Sequence, residues 1–217
     1  MSDASGARRL GVLVSGRGSN LQALIDAVAA GGLNATIALV ISNVPGVAAL
    51  DRAAAAGIET KVMPHHVWPA REAYDEALAA AFLERRVHLV CLAGFMRRLS
   101  ARFLERFGGP VLNVHPSLLP SFPGLDAPGQ AVAHGVRTAG CTVHLVTPEL
   151  DAGPIVAQAC VPVSPADTAE TLAARILVEE HRLFPRAVAT ILAGGWRVDG
   201  RRFLPAEPPS VAGPARP

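Results

Sequence analysis

Short runs of Val, Ile and Leu alternate along the chain with longer stretches in which apolar residues recur at helical spacing. LGVLVS, residues 10–15, is an unbroken apolar run that predicts a buried strand. The stretch after it predicts a helix over 20–30, stopped by Gly31 and Gly32. Further strands are expected at 35–42, 59–63, 87–92 and 110–114, with helices at 47–56, 69–85 and 100–107 between them. The strands at 87–92 and 110–114 are continuously apolar rather than alternating, which suits a parallel sheet covered on both faces. Residues 141–146 and 155–163, joined by a turn-rich stretch, predict an antiparallel extension, and a long helix over 168–192 closes the domain. The expected fold is α/β: an open, mostly parallel Rossmann-like sheet with helices on both faces and an antiparallel extension near the C-terminal end. One domain should span 10–204. Residues 1–9 lack the apolar stretch of a signal peptide and read as a flexible tail, as do the Pro-rich residues 205–217.

Composition narrows the function classes. Half of the 217 residues are hydrophobic and 18% are charged, too apolar for a disordered chain, while no apolar run approaches the ~20 residues of a membrane span. A soluble globular protein with no membrane partner is expected. Twenty basic residues against 18 acidic ones leave no field to hold DNA or RNA, although a small anion is not excluded. Lys61 is the only lysine. Arginine's planar fork suits carboxylates and phosphates, but a general compositional bias explains the excess as readily. Cys91, Cys141 and Cys160 sit singly in strand-like runs and read as buried free thiols in a reducing compartment, which points to the cytoplasm.

Open α/β sheets bind ligands at the carboxyl ends of their strands, which singles out VSGRGSN, AGFMRRLS and NVHPSLLP. In the first, Gly16 and Gly18 permit tight turning. Ser19 opens a helix with Gln22 at capping-box spacing. Amides around Gly18, Ser19 and Asn20 at a helix start make an anion site for one phosphate; a plain strand-to-helix turn is the bland alternative. The loop is neither a P-loop nor a dinucleotide fingerprint.

In NVHPSLLP, Asn113 and His115 lie two apart at a strand end and project to one side. An amide beside an imidazole suits an oxyanion, and Asp151 in TPELDAGPI could orient that imidazole and keep it charged. Singly, a strand-end His is often only hydrogen-bonded and such an Asp is often a turn former. Together they point to nucleophilic addition to a carbonyl without a covalent enzyme intermediate. No GxSxG, HExxH or Cys/His ligand spacing is present, and His65 and His66 should point apart, so no metal site is expected. On the last helix Glu180 falls amid Leu172, Ile176, Phe184, Ala187, Val188 and Ile191. A bare buried carboxylate costs several kcal/mol, so Glu180 should either pair with an arginine or grip an amine.

The segments VSGRGSN, LAGFMRRLS, NVHPSLLPSFPG, GCTVHLVTPELDAGPIVAQ and EEHRLFP occur in an order and spacing that closely resemble the glycinamide ribonucleotide (phosphoribosylglycinamide) formyltransferases, within the folate-dependent formyltransferases. The resemblance covers roughly residues 10–204. It implies an enzyme of purine biosynthesis that transfers a formyl group from formyltetrahydrofolate, its co-substrate, to the amine of glycinamide ribonucleotide through a tetrahedral oxyanion, without a metal. It assigns Gly18, Ser19 and Asn20 to the substrate phosphate, Glu180 to the amine, and Asn113, His115 and Asp151 to catalysis. Arg71, Met96, Arg97, Arg98 and Leu99, with Asn113, fall to the folate. A homodimer is compatible with it. Pro128 and Gly129 stand where relatives often carry His and Arg, and Arg98 where they often carry isoleucine. Three alternatives remain: a deformylase with water as acceptor, which usually carries an extra amino-terminal domain; transfer to initiator methionyl-tRNA, which needs a carboxy-terminal domain; and a non-catalytic phosphate-ligand binding protein.

Overall fold

In a computed structural model, which describes residues 7–206, the apolar runs become strands of one nine-stranded sheet. In chain order the elements are β1 (Arg8–Val14), α1 (Ser19–Ala29), β2 (Ala35–Ser42), α2 (Ala48–Ala55), β3 (Thr60–Val62), a 3-10 turn (His65–Val67), α3 (Arg71–Glu84), β4 (Leu89–Leu92), α4 (Ala101–Phe107) and β5 (Val111–His115). There follow α5 (Ala127–Ala133), β6 (Thr138–Leu145), β7 (Ile155–Pro162), α6 (Ala169–Ala193), β8 (Arg197–Asp199) and β9 (Arg202–Leu204). The strand order is β3-β2-β1-β4-β5-β6-β7-β9-β8. Strands β1 to β5 pair in parallel, whereas β5–β6 and β6–β7 are antiparallel, as the turn-rich stretch suggested.

The chain leaves β1 toward β2 on one side and later toward β4 on the other, so the carboxyl end of β1 is a topological switch point where a crevice opens. Apolar side chains fill both faces, which is why β2, β4 and β5 are mostly apolar, while the edge strand β3 is exposed. Leu21 and Leu24 of α1 pack with Ile176 and Phe184 of α6 on one face, and Tyr74, Phe82 and Phe103 of α3 and α4 on the other. Helix α6 is capped at Thr168, whose hydroxyl accepts from the Thr171 amide while the Thr171 hydroxyl accepts from the Thr168 amide. Its buried stripe is the expected one, with Glu180 inside it.

Several expectations are corrected. Arg8 and Arg9, assigned to the tail, pair with Ala35 and Thr36 across β1–β2. Residues 207–217 of the expected C-terminal tail lie outside the described residues, as do residues 1–6. Cys160 is exposed, because alternation along β7 turns it to the solvent side while Val161 faces the core; Cys91 and Cys141 are buried. His65 and His66 sit in the 3-10 turn, with rings edge to face at 5.8 Å rather than pointing apart. Helix α5 and the β8–β9 hairpin, at seven and three residues per element, were too short to leave a periodic signal.

The Pro128–Gly129 departure belongs to α5. Asp126 caps this helix by accepting from the Gly129 amide, Pro128 occupies its first turn, and a Cβ on Gly129 would lie 2.2 Å from the Asp126 carboxylate. Among the described residues no helix is long and apolar enough to cross a membrane. No group of three or more His, Cys, Asp or Glu there could hold a metal ion.

Candidate active site

The loop between β1 and α1 turns at Gly18, whose φ of 72° lies in the left-handed region. A Cβ there would also sit 2.6 Å from Ala49 Cβ, because the first turn of α2 packs against the loop. The N-cap is therefore Gly18. Ser19 is the first helical residue, and the expected capping box does not form: the Gln22 side chain instead donates to Asp26 at 2.8 Å. The amides of Ser19, Asn20 and Leu21 open the helix without intrahelical acceptors, at the positive end of its dipole.

Asn20 sends its side chain elsewhere. Its Nδ2 donates to Glu180 Oε2 at 2.7 Å, and both residues are buried. Glu180 thus meets an asparagine and not the arginine of a salt bridge. Burial pushes its carboxyl above the usual carboxylate range, opposed by the Asn20 hydrogen bond and the nearby His115. Since the raised value belongs to the folded state, the folded protein holds the Glu180 proton more tightly than the unfolded chain does. The stability this contributes is present at low pH and lost as pH rises through the raised value. Glu180→Gln, which keeps an acceptor for Asn20, should therefore raise the melting temperature relative to the parent at around pH 8. That gain should shrink toward pH 4.5, the ordinary carboxyl value; scanning calorimetry at both pH values checks it, and an equal shift at both would assign the effect to something other than the charge.

Strand β5 carries Asn113 and His115 on one face, as expected. The antiparallel register sets His144 of β6 directly opposite Asn113, so the two side chains are neighbours. Asn113 Nδ2 lies 3.2 Å from His144 Nε2, and His144 Nδ1 lies 3.0 Å from the Leu145 carbonyl. A carbonyl only accepts, so Nδ1 carries the hydrogen and Nε2 accepts from Asn113, the pattern of a neutral ring. Burial lowers the His144 pKa in the same sense. Sequence reading missed this residue. A histidine inside an apolar strand carries no local signal until the register names its partner.

Asp151 lies in the β6–β7 loop with a φ of 48°. Its Oδ2 is 3.6 Å from His115 Nδ1, and its Oδ1 is 3.7 Å from His144 Nε2. The Gly124 amide donates to the same Oδ2 at 2.8 Å. At Gly153 a Cβ would fall 1.8 Å from the Leu145 carbonyl, so only glycine lets the loop fold back this closely. His115 Nε2 faces the Phe122 carbonyl at 3.0 Å, so this ring lies between a carbonyl and the Asp151 carboxylate. The two histidines differ accordingly: one ring is set against two oxygen acceptors, the other holds Asn113.

The loop after β4 borders this cluster. Met96 is exposed, the Arg97 guanidinium lies 5.5 Å from the centroid of the Tyr74 ring, and Arg71 Nη2 donates to the Arg98 carbonyl at 2.8 Å. Arg98 is a tether, since its Nη2 donates to the Pro148 carbonyl at 3.0 Å and so joins this loop to the one carrying Asp151. The Leu99 side chain is buried in the core with Tyr74, Phe95 and Phe103, which leaves only its backbone to face a ligand.

The family described as formyl transferase matches residues 8–188. The chain belongs to the formyl transferase family. It is 42% identical over 190 residues to the phosphoribosylglycinamide formyltransferase of Escherichia coli K12, a match covering 88% of this chain and 87% of that one. It is 47% identical over 186 residues to the human trifunctional purine biosynthetic protein adenosine-3, covering 86% of this chain. The chain spans less than a fifth of the length of the animal trifunctional proteins it matches. Among solved structures, glycinamide ribonucleotide transformylase 1 from Symbiobacterium toebii superposes with a TM-score of 0.91 at 46% identity, covering 93% of this chain and 95% of that one. The parallel sheet with its antiparallel extension is thus a formyl transferase fold.

Proposed function

We propose that this formyl transferase moves the formyl group of formyltetrahydrofolate to the amine of glycinamide ribonucleotide, a step of purine biosynthesis. The observation that carries this reading is Asp151, set between His115 and the histidine that holds Asn113. The amine nitrogen attacks the formyl carbon, a C–N bond forms, and charge collects on the formyl oxygen. Asn113 and His115 stabilise that oxyanion, His115 by turning its Nε2–H to it from the Phe122 carbonyl, and Asp151 orients the ring from the Nδ1 side. Collapse breaks the bond from the formyl carbon to the folate nitrogen, which takes up the proton that the attacking amine gives up.

Gly18, Ser19 and Asn20 hold the phosphate through backbone amides and the dipole of α1. Glu180 faces the amine side, with the buried, unpartnered Asn20 Oδ1 beside it as a second acceptor. Arg71, Met96, Arg97, Arg98 and Leu99 form the folate side. Among the described residues no hydrogen bond engages the amides or carbonyls of Arg97 and Leu99, which leaves them to pair with the donor and acceptor edge of a pterin. A water acceptor, as in a deformylase, would need neither the phosphate site nor the Asn20–Glu180 pair, so the geometry favours the phosphorylated amine.

Purified protein incubated with both substrates should yield formylated glycinamide ribonucleotide by mass spectrometry. Formate released at the same rate without the amine would establish a deformylase instead, and no turnover of either kind would leave a binding protein.

A further inference from the structure

Side chains from other elements hold the backbone of the 96–100 loop at alternate residues. The Met96 amide donates to Ser15 Oγ at 2.9 Å, and the Ser100 amide donates to Asp75 Oδ2 at 2.7 Å. Between them, Arg71 takes the Arg98 carbonyl. Ser15 follows β1 at the start of the phosphate loop, and its amide also donates to the Gly94 carbonyl at 3.1 Å. Its hydroxyl hydrogen goes to Asn43 Oδ1 at 2.6 Å, so the lone pair left for Met96 points in a set direction. Asn43 is itself buried at the end of β2, with Nδ2 3.5 Å from His65 Nδ1.

Asp75 is 2% exposed on α3, and its carboxylate meets the chain just where Ser100 caps α4. Nothing in the reaction as derived uses Ser15, Asn43 or Asp75, and Asn43 and Asp75 are buried, where a polar group costs free energy unless it is hydrogen-bonded.

We propose that Ser15 and Asp75 are positioning residues of the formyl-donor site: they hold the amides at the two ends of the 96–100 loop and so aim the free backbone groups of Arg97 and Leu99 at the donor. The proposal rests on reading this loop as the folate side. Ser15 reaches the loop from the strand that also starts the phosphate site, so one hydroxyl sets the spacing between the two substrate loops. Its removal unpins Met96 and strands a buried acceptor on Asn43.

Steady-state kinetics with both substrates test it. Ser15→Ala should raise KM for formyltetrahydrofolate by about tenfold, with KM for glycinamide ribonucleotide and kcat within about twofold. Ser15→Thr, which keeps a hydroxyl, should restore the parent value. Asp75→Ala should act in the same way and Asp75→Asn, which keeps an acceptor, should rescue it; should Asp75→Ala fail to fold, the Ser15 pair decides alone. Equal rises in both KM values would mean a merely structural role and overturn the proposal. Hydrogen exchange at the Arg97 and Leu99 amides separates the two levels of inference. If formyltetrahydrofolate protects those amides in the parent and Ser15→Ala leaves the donor KM unchanged, the positioning role falls while the folate reading stands; if it protects neither, both fall.

Discussion

Asp151→Asn should lower kcat by about 100-fold or more, in the range that positioned acid–base groups contribute. The substitution is nearly isosteric, and an asparagine oxygen can still accept from the Gly124 amide that now donates to Asp151, so the loop should keep its course. What disappears is the one negative charge between the two imidazoles. Without it His115 loses the carboxylate that faces its Nδ1, and an amide N–H turned toward Nδ1 would oppose a hydrogen there. The phosphate loop is untouched, so KM for glycinamide ribonucleotide should stay within about threefold, which marks an interaction made mainly in the transition state. Steady-state rates with both substrates measure this, and near-normal turnover would remove Asp151 from the mechanism.

Asn113→Ala should cost about 100- to 1000-fold in kcat, the loss expected when one oxyanion donor is deleted. One hydrogen of the Asn113 amide is committed to His144 at 3.2 Å, which fixes the plane of the group and leaves the other to meet the developing oxyanion. Alanine removes the donor and leaves His144 Nε2 without one. Asn113 is only half-buried, so the fold should survive and the loss should fall on kcat rather than on either KM. The readout is kcat by initial rates with both substrates saturating, beside a melting curve showing that the variant is folded; a loss under tenfold would move the oxyanion role to other donors.

The sheet was readable along the chain because β1, β2, β4 and β5 each carry their own signal: a mostly apolar run closed by a turn, needing no knowledge of its neighbours. Asn113 and His115 were readable for the same reason, since a spacing of two on a strand puts them on one side whatever else surrounds them. Glu180 announced itself by helical arithmetic, though its partner did not. An arginine was the reasonable expectation for a buried carboxylate, and the fold supplied Asn20 from 160 residues away.

His144 became visible only through the β5–β6 register, which depends on where an antiparallel turn places two strands that are unremarkable by themselves. The capping box failed because Gly18 must approach Ala49 of a different helix, a contact that a local motif does not contain. The tether made by Arg98 was likewise invisible along the chain, because the Pro148 carbonyl it reaches lies 50 residues away on the Asp151 loop.

By itself, then, the sequence determined the α/β layering, the place of the ligand loops and the residue types for oxyanion chemistry, because all of these follow from periodicity and spacing within a few residues. Only the tertiary structure decided which groups meet: Asp151 between two histidines, Asn20 on Glu180, Ser15 and Asp75 on one loop. Those pairings join residues far apart in the chain, and whether such groups come within about 3 Å depends on how every intervening element packs.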